Sequence, residues 1–454
     1  MPIDVEDIVE GEIIDFSHDG SGVLKCDNFT IFTSGGIIGD KVKVRIEKVK
    51  KSFGIGRVLE IIQPSKDRIK LGFNIDESRG GIPLIDLDYR KQLEWKKKKV
   101  KSDLAKIAGL LDIDIRDTMG MDHPYRYRNH MQIAVGEQNG ETVIGFYEIN
   151  SNDIVDMKGS ILQPEVGDRI LHIIRSWVGE YHIKAYNKKS REGVLRHIGI
   201  RTNKDNKAMV ILVTGRRDIP YRRELIDMLK EIDVISIYQN INKSNSSIVY
   251  GREYIKLYGE DGLLDYIGDY RFNISPKSFF QVNRSQAEVL YNKAVEYLDL
   301  DRDDIVYDLY CGIGTISLYI ASQAKKVYGI EIVKEAIEDA KENAKLNKVE
   351  NAEFIVGKAE EVFPKMLEQG IKANKLVLDP PRKGCEREVL EAIAKLKPEK
   401  MVYVSCNSAT MARDVKYLVE NGYKIDKVQP VDMFPQTSHV ESIILMTYCG
   451  WDDK

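Results

Sequence analysis

Three side chains able to do chemistry stand at the ends of apolar runs in the C-terminal part of the chain. The run Val402-Tyr-Val-Ser-Cys406 ends in a cysteine, followed by a polar turn at Asn407 and a helix signal at Thr410. A thiol there, beside a helix N-terminus, has its thiolate favoured and is placed to act as a nucleophile. Glu441, in His439-Val-Glu441 at the start of the last apolar run, would sit by the same edge and is the candidate general base. The run Lys375-Leu-Val-Leu-Asp379 ends in a carboxylate, and Pro380 and Pro381 hold the chain extended beyond it. In an open α/β sheet this carboxyl edge is where ligands bind.

A second constellation supplies a pocket for such a ligand. Ile305-Val-Tyr307 is a short apolar run closed by Asp308, after which Gly312 and Gly314 let the backbone approach a ligand before a helix begins at Ile316. Val327-Tyr-Gly-Ile-Glu331 follows about 20 residues on, where the second strand of a nucleotide-binding unit ends in a ribose-holding carboxylate. These motifs need one sheet to bring them together. Strands are expected over 304–308, 326–331, 352–356, 375–379, 400–405, 424–431 and 440–448, alternating with helices from one that opens at Phe279-Phe-Gln-Val-Asn283 and runs to Leu298. That pattern predicts a C-terminal α/β domain over 269–454 with a seven-stranded, Rossmann-like, doubly wound sheet.

With 454 residues the chain is too long for one ordinary core. Residues 1–62 alternate apolar and polar positions between turn signals at Asp19-Gly20, Asp27-Asn28 and Gly35-Gly36, which predicts five short strands closing into a small β-barrel. Lys41, Lys43, Arg45, Lys48, Lys50, Lys51 and Arg57 face only Glu47 there, a footprint suited to RNA. A polar linker over 65–88 leads to a helix over 87–110, with Leu93, Val100, Leu104, Ile107 and Leu111 on one face and the basic run from Lys96 to Lys101 as a solvated face. Hairpin signals at Asn139-Gly140 and over 203–206, with a helix over 222–232, complete a central α+β domain over 63–268.

The composition, 43% hydrophobic and 31% charged with a net charge of −3, is that of a globular protein. The five cysteines show no paired spacing, the N-terminus shows no apolar stretch like a signal peptide, and no apolar run approaches the roughly 18 residues needed to cross a bilayer. A cytoplasmic monomer with reduced thiols, and no membrane partner, is expected.

The motifs Phe279-Phe-Gln-Val-Asn283, Asp308-Leu-Tyr-Cys-Gly-Ile-Gly314, Asp379-Pro-Pro-Arg-Lys-Gly384, Ser405-Cys-Asn407 and His439-Val-Glu441 occur in an order that resembles the S-adenosylmethionine-dependent RNA uracil-5-methyltransferases. The resemblance covers nearly the whole chain. It implies an N-terminal TRAM (OB-like) barrel, a central RNA-binding domain around Tyr125-Arg-Tyr-Arg-Asn129 and Leu195-Arg-His197, and a methyltransferase domain. It further implies that Gln281, Tyr310, Glu331 and Asp379 contact S-adenosylmethionine, that Cys406 is the nucleophile, that Glu441 is the base, and that the RNA is 23S ribosomal RNA. Thiolate addition at carbon 6 makes carbon 5 of uracil nucleophilic, and a base must then remove the carbon-5 proton, so one thiolate and one carboxylate suffice without a metal. The alternatives are a transfer-RNA uridine target, an RNA cytosine-5-methyltransferase using Cys385 as a second cysteine, and a non-catalytic RNA-binding factor.

The chain departs from the family pattern twice. Thr315 stands where many members place an asparagine, and no cysteine lies between Cys26 and Cys311, where many carry four ligands of an iron–sulfur cluster. Residues 71–88 would instead be held by apolar contacts of Leu71, Phe73, Ile82, Leu84 and Ile85. The protein is therefore expected to be colourless and equally active after aerobic or anaerobic purification and in the presence of iron chelators. Stoichiometric iron with a visible charge-transfer band in anaerobically prepared protein would overturn this.

Overall fold

The computed structural model describes residues 3–70, 81–147 and 153–450. The first unit is a barrel of β1 (Ile8–Glu12), β2 (Asp15–Phe16), β3 (Gly22–Cys26), β4 (Phe29–Ser34), β5 (Lys41–Val49) and β6 (Phe53–Gln63), in the order β1-β5-β6-β4-β3-β2. Strand alternation turns Val42, Val44 and Ile46 inward onto Ile13, Leu24 and Ile31. There are six strands rather than the five expected, because the first stretch breaks at Ile13 and Ile14. The Ile13 amide donates to Asp40 O (3.0 Å) and the Ile14 amide to Val23 O (2.8 Å), so the segment passes from one barrel edge to the other and closes it. The basic face is also less bare than expected. Lys43 meets Glu10 (3.6 Å) and Glu60 (3.5 Å), and Arg57 meets Glu47 (2.9 Å), which leaves Lys41, Arg45, Lys48, Lys50 and Lys51 as the exposed cations.

Helix α1 (Tyr89–Asp103) is capped by the Asp88 carboxylate, which accepts from the Arg90 amide, and it ends in a π-helical turn, Leu104–Ala108, closed by Gly109 at φ 74°. Its buried stripe recurs every fourth residue: Gln92, Lys96, Val100, Leu104 and Ala108. The expected face is only partly buried, with Ile107 38% and Leu111 70% exposed at and beyond the wide last turn and Leu93 half-buried near the helix start. The basic run is not simply a solvated face. Lys96 is fully buried, with Nζ 2.5 Å from Asp432 Oδ1, and Lys99 donates to Ser438 O (3.0 Å). Because this stripe packs with Tyr307, Tyr403 and Val415, the helix lies on the C-terminal unit and not on the central sheet, which corrects the domain start expected at residue 63.

The central sheet holds β7 (His130–Gln138), β8 (Glu141–Tyr147), β9 (Ile154–Asp156), β10 (Leu195–Thr202), β11 (Ala208–Thr214), β12 (Val234–Ile241) and β13 (Glu253–Gly259), in the order β13-β12-β11-β10-β7-β8-β9. Helices α2 (Glu165–Glu180) and α3 (Arg222–Lys230) pack on it through Trp177, Ile170 and Leu225. The hairpin turns expected at 139–140 and 203–206 are present, joining β7 to β8 and β10 to β11. Strands β14 (Leu263–Ile267) and β15 (Tyr270–Ile274) form a separate hairpin. The boundary expected at 268 falls in its turn, while Ile267, Phe272 and Ile274 belong to the C-terminal core, so the hairpin goes with that unit.

The C-terminal unit runs α4 (Arg284–Leu298), β16 (Ile305–Leu309), α5 (Thr315–Ala321), β17 (Lys326–Glu331), α6 (Lys334–Leu346), β18 (Ala352–Val356), α7 (Ala359–Glu368) and β19 (Lys375–Leu378). It continues through α8 (Arg387–Leu396), β20 (Lys400–Ser405), α9 (Ser408–Glu420), β21 (Tyr423–Val431) and β22 (Glu441–Tyr448). All seven expected strands lie in one sheet, ordered β18-β17-β16-β19-β20-β22-β21, with β22 antiparallel to both neighbours. Of the residues expected to hold the segment after the barrel, Ile82, Leu84 and Ile85 are buried, Leu84 beside Phe16, Leu87 and Trp95. Leu71 and Phe73 lie outside the described residues.

Lys96→Met should destabilise the protein by about 3–5 kcal/mol, because Asp432 is left as a buried charge without its cation. Adding Asp432→Asn should recover most of the loss. Thermal unfolding midpoints of the two variants check this, and equal midpoints for the single variant and the wild type would contradict it.

Candidate active site

Strands β20 and β22 pair in a register that sets Ser405 against Ser442. The pairing ends there, where Cys406 follows β20 and Glu441 opens β22, so the thiol and the carboxylate stand near one another at the sheet edge and the Glu441 charge bears on the Cys406 thiol. Glu441 is 5% exposed, and burial, with the nearby Asp379, pushes its carboxyl up to about 8 against the pull of Arg382. Burial pushes the Cys406 thiol up to about 11, with Glu441 and Asp379 adding to the shift and Arg382 opposing it. The expectation of a favoured thiolate is thus corrected. Two carboxyl groups and a dry setting outweigh the end of helix α9. Asp379 itself, just past β19, is raised by burial to about 7.

Hydrogen bonds stitch these loops together. Asn407 caps α9 by accepting from the Ala409 amide (3.1 Å), while its Nδ2 donates to Arg382 O (3.0 Å) and Thr410 Oγ1 donates to the same carbonyl (3.1 Å). The Asp-Pro-Pro-Arg turn closes when the Gly384 amide donates to Pro381 O (2.8 Å), with Gly384 at φ 79°. Arg382, the cation that opposes all this negative charge, was not singled out from the sequence, although it sits inside a motif that was.

Cys406, Arg382 and His439 line a cavity of about 530 Å³ whose other walls are Trp95 and Lys99 of α1 and Phe16 and His18 of the barrel. His439 is lowered to about 4 by burial and by Arg382, Lys99, Lys96 and Arg128, so it is neutral. The barrel residues carried no sequence signal, because nearly the whole chain separates them from the cysteine they face. Cys385 is not among the lining residues. It is 6% exposed, its amide donates to Asp414 Oδ2 (2.8 Å), and burial pushes its thiol up to about 12.

The other expected residues gather where strand order reverses, at the ends of the adjacent β16 and β19. Tyr310, Gly312 and Gly314 follow β16 at φ 69°, 56° and 82°. A side chain at Gly312 would meet nothing within 4 Å, whereas one at Gly314 would press on Phe354 at 3.0 Å, so the first glycine opens onto free space and the second closes packing. The Tyr310 side chain packs against the core cluster that holds Cys385. Asp308 takes a hydrogen bond from Ser317 Oγ on Oδ2 (2.5 Å), while its buried Oδ1 has no partner. Burial raises its carboxyl to about 7, with Asp379 and Glu331 adding to the shift against the Ser317 hydrogen bonds. Glu331, ending β17, accepts from the amides of Gly312 (3.3 Å) and Val333 (2.9 Å). Gln281 is buried at the N-terminal side of α4, and Thr315 Oγ1 lies 3.0 Å from Tyr291 Oη. The set offers a ribose acceptor in Glu331, an open glycine turn, and acids with an unsatisfied oxygen, which suits a nucleoside carrying positive charge such as S-adenosylmethionine.

The tRNA (uracil-5-)-methyltransferase family model matches residues 88–448, and the TRAM domain model matches residues 8–59. An uncharacterized RNA methyltransferase of Clostridium tetani is 49% identical over 434 residues, covering 95% of this chain and 94% of its own length. Another, of Clostridium acetobutylicum, is 47% identical and covers 98% of each chain. The crystal structure of Pyrococcus abyssi tRNA (uracil-54, C5)-methyltransferase in complex with S-adenosyl-L-homocysteine superposes with a TM-score of 0.77 at 30% identity, covering 97% of this chain and 100% of that one.

The charges around Cys406 set its reactivity in a way that alkylation can read. In the wild type the pH midpoint for iodoacetamide labelling of Cys406, followed by mass spectrometry, should lie near 11. Glu441→Gln removes a negative neighbour and should lower it, while Arg382→Ala should raise it. Identical midpoints in all three proteins would separate the thiol from these charges.

Proposed function

The chain belongs to the tRNA (uracil-5-)-methyltransferase family of S-adenosylmethionine-dependent enzymes, and on that premise we propose that it methylates carbon 5 of a uridine in 23S ribosomal RNA, with Cys406 as nucleophile and Glu441 as base. The observation that carries the reading is the meeting of one thiol and one carboxylate at the ends of β20 and β22, with Cys406 in the wall of a cavity sized for a nucleotide. Glu331, Asp308, Asp379, Gln281 and the turn from Tyr310 through Gly312 to Gly314 would hold S-adenosylmethionine, which supplies an electrophilic methyl group when bound.

The target uridine leaves its stack to enter the cavity between barrel and sheet. Cys406 gives its proton to solvent and adds as the thiolate to carbon 6, and the electron pair of the carbon 5–carbon 6 double bond moves to the enolate, which makes carbon 5 the nucleophile for the methyl group. Arg382 lowers the cost of the thiolate at that moment. Glu441 then takes the carbon-5 proton, the released pair restores the double bond, and Cys406 leaves as thiolate. Since Glu441, pushed up to about 8, must be ionised for this step and the step follows methyl transfer, kcat should rise as the pH is raised through that range.

The resemblance to the ribosomal branch of barrel-bearing enzymes supports 23S RNA as target. The likeness to the Pyrococcus abyssi tRNA (uracil-54, C5)-methyltransferase favours a second reading with a transfer-RNA uridine. Mapping 5-methyluridine in both RNAs from a strain lacking the gene distinguishes them. A cytosine-5 mechanism would need a second working cysteine, and the burial of Cys385 away from the cavity counts against it. We take the enzyme to act as a monomer in the cytoplasm, consistent with five free cysteines. No helix among the described residues is long and apolar enough to cross a membrane.

Cys406→Ala should abolish methylation and the denaturation-resistant adduct with 5-fluorouridine RNA, while Cys385→Ala keeps most of both. Glu441→Gln should trap a methylated covalent RNA complex, because methyl transfer precedes proton removal. Normal turnover by Glu441→Gln would place the base elsewhere.

A further inference from the structure

Behind the site, α9 carries a wholly buried carboxylate, Asp414. Its Oδ2 accepts from the Cys385 amide (2.8 Å) and from the Tyr403 hydroxyl (2.7 Å), and its Oδ1 accepts from Arg413 Nε (2.8 Å). Arg413 Nη2 in turn donates to Lys383 O (3.0 Å) and Cys385 O (3.3 Å). Together with Asn407 and Thr410 on Arg382 O, these bonds tie the turn from Arg382 to Cys385 to a single helix end, where Thr410, Arg413 and Asp414 share a face at i, i+3 and i+4. Gly384 completes the fit. It sits at φ 79°, and a Cβ there would come within 2.5 Å of Asp414 Oδ2 and 2.6 Å of Arg413 Nη2.

A buried carboxylate is costly even when paired, and apolar side chains of similar volume would fill the same space at less cost. The chain keeps the charge where it grips the turn that carries Arg382. The Arg382 side chain lines the cavity with Cys406 and opposes the raising of that thiol. Cys406 directly precedes the Asn407 cap of α9, so one helix follows the thiol and holds the turn that bears its counter-charge. A cation fixed in advance costs no reorganisation when the thiolate forms, whereas one on a loose turn would have to be gathered in from water. Cys385 serves here by its amide and its small size, with Sγ 3.7 Å from Tyr403 Oη.

From this geometry we propose that Asp414 is a positioning residue of the methyl-transfer reaction, which holds the turn from Arg382 to Cys385 against α9 so that Arg382 stands at the Cys406 thiol. The proposal deepens the reading of Cys406 as nucleophile and rests on it. Glu441 and Asp379 also bear on Cys406, while Lys98, Lys99 and Asp103 of α1, Asp15 and His18 of the barrel, and His439 share its cavity. Substitutions at Asp414 and Gly384 leave all of these side chains in place, so a change in the thiol reports on Arg382. Asp414 is itself an anion, and neutralising it through space would favour the thiolate. Releasing Arg382 has the opposite sign.

The test titrates Cys406 with iodoacetamide in the full-length protein, without RNA. Asp414→Asn should raise the pH midpoint and slow labelling at fixed pH about threefold, as Arg382→Ala does, because less of the thiol is ionised. Adding Arg382→Ala to Asp414→Asn should raise the midpoint no further, since the arginine is already displaced. Gly384→Ala, which keeps Asp414 and pushes the turn off it, should give the same shift and serves in place of Asp414→Asn if that variant does not fold. An unchanged or lowered midpoint, shifts that add in the double variant, or a lower thermal midpoint as the only effect would each overturn the proposal. At saturating RNA and S-adenosylmethionine, kcat should fall about threefold with the KM for RNA unchanged, because the lost interaction acts on the thiolate and not on binding. Failure of the wild type to form the 5-fluorouridine RNA adduct would instead strike at the nucleophile reading and leave the titration result standing.

Discussion

The buried contact between Lys96 and Asp432 fixes how the parts of this molecule meet. Both side chains are wholly removed from solvent, a setting in which desolvation offsets much of the attraction unless further polar partners are supplied. Here they are. Lys96 also donates to Phe434 O (3.1 Å), and Asp432 accepts from Tyr89 Oη (2.9 Å) and the Phe434 amide (3.2 Å). The same segment continues through Gln436, bonded to Gln92 (2.8 Å), and Ser438, whose hydroxyl donates to His18 O of the barrel (2.7 Å). One connection between β21 and β22 is thereby clamped by α1 on one side and the barrel on the other. Its last residues deliver Glu441 to the start of its strand.

The electrostatics of the site follow from that closure. Burial raises Asp308, Asp379 and Glu441, and Asp379 adds to the shift of the other two, so each carboxyl is held near neutrality instead of fully ionised. Such a cluster is unfavourable for the folded chain alone, and it is the kind of cost that functional sites carry. Arg382 offsets it from an exposed loop, whose carbonyl is gripped by Asn407 and Thr410. Cys406 and Arg382 are therefore held by a single set of loop contacts.

How much of this could be read from the residues depended on whether the cause was local. The seven strands were legible because each is a short apolar run with its polar residue at the end, and that same rule exposed Cys406, Asp379 and Glu331. Lys96 was not legible. Nothing in four consecutive lysines tells which one turns inward, and the partner that decides it, Asp432, is 336 residues away. The π-helical turn after α1 was hidden for the same reason, since Leu104 and Ala108 pack in the C-terminal core, where the turn lies against α9. The raised thiol was not legible because a helix end is a local feature, whereas the burial that raises Cys406 and the carboxyl groups that add to it come from the packed fold.

The barrel shows where the sequence argument stopped short. Its exposed lysines and arginine suit an affinity role, in which phosphate contacts position RNA without reading it. Yet the opposite side of the same small barrel presents Phe16 edge-on to Trp95 at 5.6 Å and sets Asp15 to accept from the Trp95 indole (2.7 Å). Phe16, His18 and Trp95 thereby wall the cavity that Cys406 opens into. A duplex is too wide for a space of about 530 Å³, while one extruded nucleotide fits it. The barrel thus shapes the space in front of the thiol, which has room for one extruded nucleotide and not for a duplex.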